Sequence, residues 1–60
     1  MSVLVPIHEM ALKDLLARIR IHESIAQMFE ERGESSTARV FRSLAAEYRA
    51  EVDLRPDTAE

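Results

Sequence analysis

The chain has 60 residues, of which 47% are hydrophobic and 32% charged, and it contains no cysteine. These values exclude a disulfide framework and a thiolate zinc site, and the apolar content is too high for a disordered chain. The formal net charge of −3 also argues against a protein that binds nucleic acid through its overall charge.

Segment 1–6 is predicted to be an extended N-terminal arm, because residues 3–5 are apolar and are followed by Pro6. The arm is too short for a membrane span and lacks the positive charges that begin a signal peptide. A long helix is predicted from residue 7 to about residue 32, since this stretch has neither proline nor glycine.

The residues after this helix carry the signals of a tight turn. Gly33 stands where a helix end favours a left-handed residue, and Ser35 or Ser36 can cap the next helix. The turn is therefore predicted at 33–36 and a second helix from about 36 to 54. Pro56 disfavours a helical conformation at Arg55, so 55–60 is predicted to be a polar tail. The whole chain, 1–60, is predicted to be a single all-α domain, a helical hairpin.

The apolar residues of helix 1 cover roughly two-thirds of its circumference, which is wider than the ~100° stripe of a helix that buries one side. Helix 2 can cover only part of this surface. We expect a second copy of the chain to cover the rest in a four-helix bundle, unless the N-terminal arm folds back over it. The predicted core and dimer contact consists of Leu12, Leu15, Ile19, Phe29, Phe41, Leu44 and Tyr48. A second flank, predicted to bind a partner, consists of Met10, Ile21, Ile25 and Met28.

His8 and His22 are both predicted on the core-facing side of helix 1, with His8 in its first turn near solvent and His22 in its middle. In an antiparallel hairpin, His22 and Glu23 lie near Glu47, and imidazole with carboxylates suits iron, manganese or zinc. One hairpin supplies few ligands, but a two-fold dimer doubles them. The alternative is that His22 is a rim histidine hydrogen-bonded to Glu47 or Tyr48. We therefore predict no cofactor, and keep a shared metal site as an open hypothesis.

Two resemblances extend these alternatives. The run from Gly33 through Phe41 to Ala45, with Glu23 before it, resembles a rubrerythrin-type helix pair of the ferritin-like family, which implies a metal-binding half-bundle. Residues 48–51 read Tyr-Arg-Ala-Glu where that family has Glu-x-x-His. The spacing of Gly33, Ser35 and Leu44 is similar to the turn and second helix of ribbon–helix–helix repressors. That resemblance implies a DNA-binding strand at 13–17 or 18–21.

Three arginines are predicted to lie on one outer side of helix 2. Arg39, Arg42 and Arg49 could contact phosphates or an acidic partner, or could form an ordinary solvated face. The chain offers no cysteine nucleophile and no glycine-rich phosphate loop, so we expect no enzyme activity. The sequence favours a small cytoplasmic interaction protein: a regulator, adaptor or accessory subunit.

Overall fold

A computed structural model describes residues 6–55 of the chain. These residues form an N-terminal 3₁₀ turn over Ile7–Glu9, helix α1 over Leu12–Glu31 and helix α2 over Ser35–Leu54. The two helices pack side by side as an antiparallel hairpin, and there is no strand within 6–55. The predicted all-α helical hairpin is confirmed. Residues 1–5 of the predicted arm and residues 56–60 of the predicted tail lie outside the described part.

Gly33 makes the turn between the helices, as predicted. Its φ of 80° is left-handed. The Gly33 amide donates to the carbonyl oxygen of Glu30 at 3.0 Å, and the Glu34 amide donates to that of Phe29 at 2.8 Å. This pair of hydrogen bonds is the Schellman motif, which satisfies carbonyl groups at the end of α1.

The predicted serine cap of α2 is wrong. Glu34 occupies the N-cap position, and no side chain makes a capping hydrogen bond there. The Schellman motif already fixes the backbone as far as Glu34, so α2 begins at once and Ser35 and Ser36 fall inside its first turn. The other end of α2 is as predicted, since Arg55 is extended (φ −78°, ψ 141°) before Pro56.

Helix α1 begins five residues later than the sequence suggests. Met10 and Ala11 are extended, with ψ angles of 146° and 151°. With this break, α1 and α2 are each 20 residues long. A helix starting at Ile7 would be five residues, or about 7 Å, longer than α2. Folding back instead leaves Ile7 and Met10 half-buried against the hairpin.

Arg55 holds the N-terminal turn at the open end of the hairpin. Its guanidinium donates to the carbonyl oxygens of Ile7 and His8, each at 3.4 Å, and to Glu51 at 3.1 Å. In a continuous helix those two carbonyls would accept from amides four residues on. Here the carbonyl oxygen of Ile7 accepts from the Met10 amide at 3.3 Å, and both carbonyl oxygens accept from Arg55, so a tertiary contact accompanies a helix boundary that has no local breaker.

The contact between α1 and α2 is formed mainly by small side chains. Among residues 6–55, the buried apolar side chains include three alanines, and the two larger ones lie towards the open end. Alanines let the helix axes approach closely but bury little apolar area. The core of one chain is therefore small. Its members are Leu15, Ile19, Ala26, Ala38 and Ala45.

Candidate interaction surface

Four rings from the two helices stack in a row along one broad face of the hairpin. Phe29 of α1 lies 5.8 Å from Phe41 of α2, Phe41 lies 5.9 Å from His22 of α1, and His22 lies 5.5 Å from Tyr48 of α2. The planes of neighbouring rings differ by 9° to 28°. All four side chains are only half-buried. The largest side chains of the hairpin therefore lie at its surface.

Aliphatic side chains flank this row on both helices. Ile25 and Leu44 are half-buried, while Ile21, Met28 and Val40 remain 52%, 45% and 57% exposed. Spacings of three, four and seven residues place them beside the rings on the same side of each helix. We call this surface the aromatic face. Its members are Ile21, His22, Ile25, Met28, Phe29, Val40, Phe41, Leu44 and Tyr48.

The aromatic face combines the two groups that the sequence analysis kept apart. Phe29, Phe41, Leu44 and Tyr48 were assigned to the core, and Ile21, Ile25 and Met28 to a separate partner flank. Leu15 and Ile19 are buried between the helices, as a core prediction requires, whereas Leu12 is 45% exposed. The spacing of 11 residues places Leu12 on the same side of α1 as Glu23, away from the aromatic face. Met10 lies in the break before α1.

His22 is held by α1 itself. Its Nδ1 lies 2.8 Å from the carbonyl oxygen of Arg18, and because a carbonyl can only accept, Nδ1 carries the hydrogen. Tyr48 contacts the ring by stacking rather than through a hydrogen bond. Both interactions fix the ring in the middle of the aromatic row.

The proposed metal ligands do not converge within one hairpin. Glu23 lies on the other side of α1 from His22 and is paired with Arg49 of α2. No group of three histidine, aspartate or glutamate side chains in the described part of the chain could hold a metal ion. A site that uses His22, Glu23 or Glu47 from two chains stays a prediction.

The opposite broad face of the hairpin carries two interhelical ion pairs, and we call it the ion-pair face. Arg42 pairs with Glu30, and Arg49 pairs with Glu23. The side chains of all four residues are 40–56% exposed, so each pair contributes at most about 1 kcal/mol. A shallow groove runs between them, with Ala46 and Ala50 among its lining residues.

These pairs change the interpretation of the arginine row on α2. Arg42 and Arg49 face carboxylates of α1 instead of projecting from an outer side, while Arg39 is exposed. The sequence contained a signal for this that was missed. Glu23 and Glu30 are seven residues apart, as are Arg42 and Arg49, and matched spacing of opposite charges is typical of neighbouring helices.

The strand that the ribbon–helix–helix resemblance implies is absent from the described residues. Both candidate strands, 13–17 and 18–21, lie inside helix α1. The uninterrupted helical pattern of this segment outweighs the alternation of arginine and isoleucine at 18–21. No helix within residues 6–55 is both long and apolar enough to cross a membrane.

The chain matches no protein-family model, no curated protein and no solved structure.

Proposed function

We propose that the protein is a small, non-enzymatic interaction protein of the cytoplasm that acts as a homodimer through its aromatic face. A regulator, an adaptor and an accessory subunit all fit this description. The observation that carries the proposal is that small side chains are buried between the helices while the largest apolar side chains lie at the surface. Alanines occupy much of the buried contact between α1 and α2, while Phe29, Phe41 and Tyr48 stay half-buried on one face.

This distribution is typical of half of a four-helix bundle. A helix in such a bundle packs against two neighbours, so its apolar stripe points between them and not straight at either one. In this hairpin the apolar stripes of both helices are turned towards the same broad face. A second layer of helices on that face would bury the rings and the exposed Ile21, Met28 and Val40.

The small core of one chain supports the same proposal. Stable domains pack at least two layers of secondary structure around a common core, and a single hairpin has only one layer. Chains of about 60 residues without disulfides or metals are stable only marginally unless they associate. Association through the aromatic face would supply the missing layer.

A matched pair of substitutions on α1 tests the proposal. Ile21 on the aromatic face and Leu16 on the opposite side are 52% and 48% exposed. We expect Ile21→Glu to weaken the dimer at least tenfold, because a carboxylate would be buried in an apolar contact. Leu16→Glu adds the same charge on the same helix and should leave the dimer unchanged. Sedimentation equilibrium gives the dissociation constants.

Thermal melting over a range of protein concentrations gives an independent reading. The melting temperature of a protein stabilised by dimerisation falls on dilution. A wild-type chain that sediments as a monomer and melts at the same temperature at all concentrations would contradict the proposal. Equal weakening by both substitutions would show that another surface forms the contact.

A further inference from the structure

Charged side chains border the aromatic face at both ends, and the charges at the two ends differ. At the open end, Arg18 of α1 lies four residues before His22 and seven before Ile25, which places it on the same side of the helix. Glu51 of α2 lies seven residues after Leu44 and is also on this side. At the turn end, the Arg32 guanidinium lies 6.0 Å from the centre of the Phe29 ring.

The ion pairs give the relative heights of residues on the two helices. Glu30 contacts Arg42 and Glu23 contacts Arg49, and the stacked rings also join the helices, Phe29 with Phe41 and His22 with Tyr48. Because the helices are antiparallel, each residue further along α1 lies beside a residue one position earlier in α2. These contacts place Arg18 near the height of residues 52–54, within about 4.5 Å along the axis of the height of Glu51.

The aromatic face is large enough for a second copy of the chain. Two 20-residue helices side by side present a face roughly 30 Å long and about 20 Å wide. Covering it would remove on the order of 600 Å² from each chain, or about 1,200 Å² in total, which is the lower end of the range for stable interfaces.

A two-fold axis between two aromatic faces can run across the helices or along them. If it runs across, each α1 lies over the α1 of the other chain in the opposite direction. Centring that contact on Ile25, the middle of the apolar residues of α1, brings Arg18 of one chain over Arg32 of the other. Both residues are seven positions from Ile25. This arrangement sets like charges against each other twice, which is unfavourable.

If the axis runs along the helices, each α1 lies over the α2 of the other chain and heights are preserved. Arg18 of one chain then lies within one helical turn of Glu51 of the other. Glu51 uses Oε2 for Arg55 and has Oε1 as a second acceptor. At the open end of the bundle, each contact then joins Arg18 of one chain to the Glu51–Arg55 pair of the other. The two aromatic rows face each other across the axis.

We propose that the aromatic face binds a second copy of the chain about a two-fold axis parallel to the helices, with both Gly33 turns at the same end. This inference rests on the proposed function, which supplies the dimer, and adds its orientation. It follows from the charge complementarity of Arg18 and Glu51 and from the like-charge contact in the alternative.

Distances between spin labels test the orientation in the full-length chain. The protein has no cysteine, so single labels can be placed at Ser36→Cys near the turn and, in a second sample, at Lys13→Cys near the open end. Both positions are exposed. Lys13 lies off the aromatic face, and Ser36 lies at its outer edge, four residues before Val40. With the axis along the helices, the two labels of a dimer share one end, and the expected separation is within about 25 Å, the width of a bundle. With the axis across, the two Ser36 labels are more than about 30 Å apart.

The outcomes separate this inference from the proposed function. Short distances for both labels, in a sample that sediments as a dimer, support it. Long distances in a dimer overturn the orientation and leave the interaction function standing. A monomer, or a dimer that persists after Ile21→Glu, overturns both.

Discussion

Individual residues in this hairpin have roles that follow from their size and backbone conformation. Ala26 and Ala38 are fully buried and set the distance between the helices, while the bulkier Phe41 is left on the aromatic face. Gly33 permits the left-handed turn that joins the helices. A Cβ atom at Gly33 would meet no atom within 4 Å, so the penalty for adding one comes from the backbone conformation.

Because backbone conformation and not steric contact limits Gly33, the effect of replacing it can be predicted. We expect Gly33→Ala to lower the free energy of unfolding by about 1 kcal/mol, since a Cβ atom disfavours φ near 80°. Asparagine tolerates the left-handed region better, so Gly33→Asn should cost less. Urea denaturation at one fixed protein concentration measures both changes. A loss for Gly33→Asn that equals or exceeds the loss for Gly33→Ala would contradict this explanation from backbone conformation.

At the scale of the elements, the N-terminal turn and α1 are separated by a contact that is remote in sequence. Arg55 binds the carbonyl oxygens of residues 47 and 48 positions before it. The N-terminal turn depends on this contact, because a three-residue helical segment has little stability of its own. The beginning of α1 is therefore a property of the folded hairpin.

Removing the guanidinium should release the N-terminal turn. In Arg55→Ala we expect the amide protons of Glu9 and Met10 to exchange roughly fivefold faster, which corresponds to the loss of about 1 kcal/mol of hydrogen bonding. Amides in the middle of α1 should be unaffected. Hydrogen exchange followed by NMR measures both groups.

Glu51→Gln is the control for this prediction. It removes the ionic partner of Arg55 but keeps the guanidinium, so its effect on the turn should be smaller. Unchanged exchange of Glu9 and Met10 in Arg55→Ala would mean that packing of Ile7 alone holds the turn.

Some boundaries of the two helices are determined by the local sequence, and others are not. Gly33 and Pro56 act on their own neighbours, and the turn and the end of α2 lie where these residues predict. The beginning of α1 could not be predicted in the same way, because it depends on Arg55 and on the matched length of α2.

The candidate site was predicted in part. The period of 3.6 residues gives the angle between two side chains on one helix, but not the direction in which the neighbouring helix lies. The apolar residues themselves were therefore identified, while Phe29 and Tyr48 were grouped with Leu15 and Ile19. Only the packed hairpin separates the buried contact from the aromatic face.

At the scale of the whole molecule, the two faces differ in chemistry. Arg18 borders the aromatic face, whereas the neighbouring Arg20 points to the other side of α1. Charge reversal at these two positions changes the net charge equally. The comparison therefore isolates the effect of position from that of overall charge.

We expect Arg18→Glu to weaken the proposed dimer about tenfold at low salt, because it would set two carboxylates together at each Glu51. Arg20→Glu should change the dissociation constant by less than about twofold. The difference should shrink at 1 M salt, where charges are screened within about 3 Å. Sedimentation equilibrium at both salt concentrations checks this, and equal effects of the two reversals would argue against Arg18 at the contact.

The Schellman turn has a consequence for the order in which the chain folds. Residues beside Gly33 meet after closing a loop of only a few residues, whereas Arg55 and Ile7 meet across 48 residues. Loop closure is less costly for short loops, and local contacts form sooner. The two helices should therefore pair first beside Gly33 and then progressively towards the open end, where the N-terminal turn packs last. Local unfolding should begin at the open end and proceed towards Gly33.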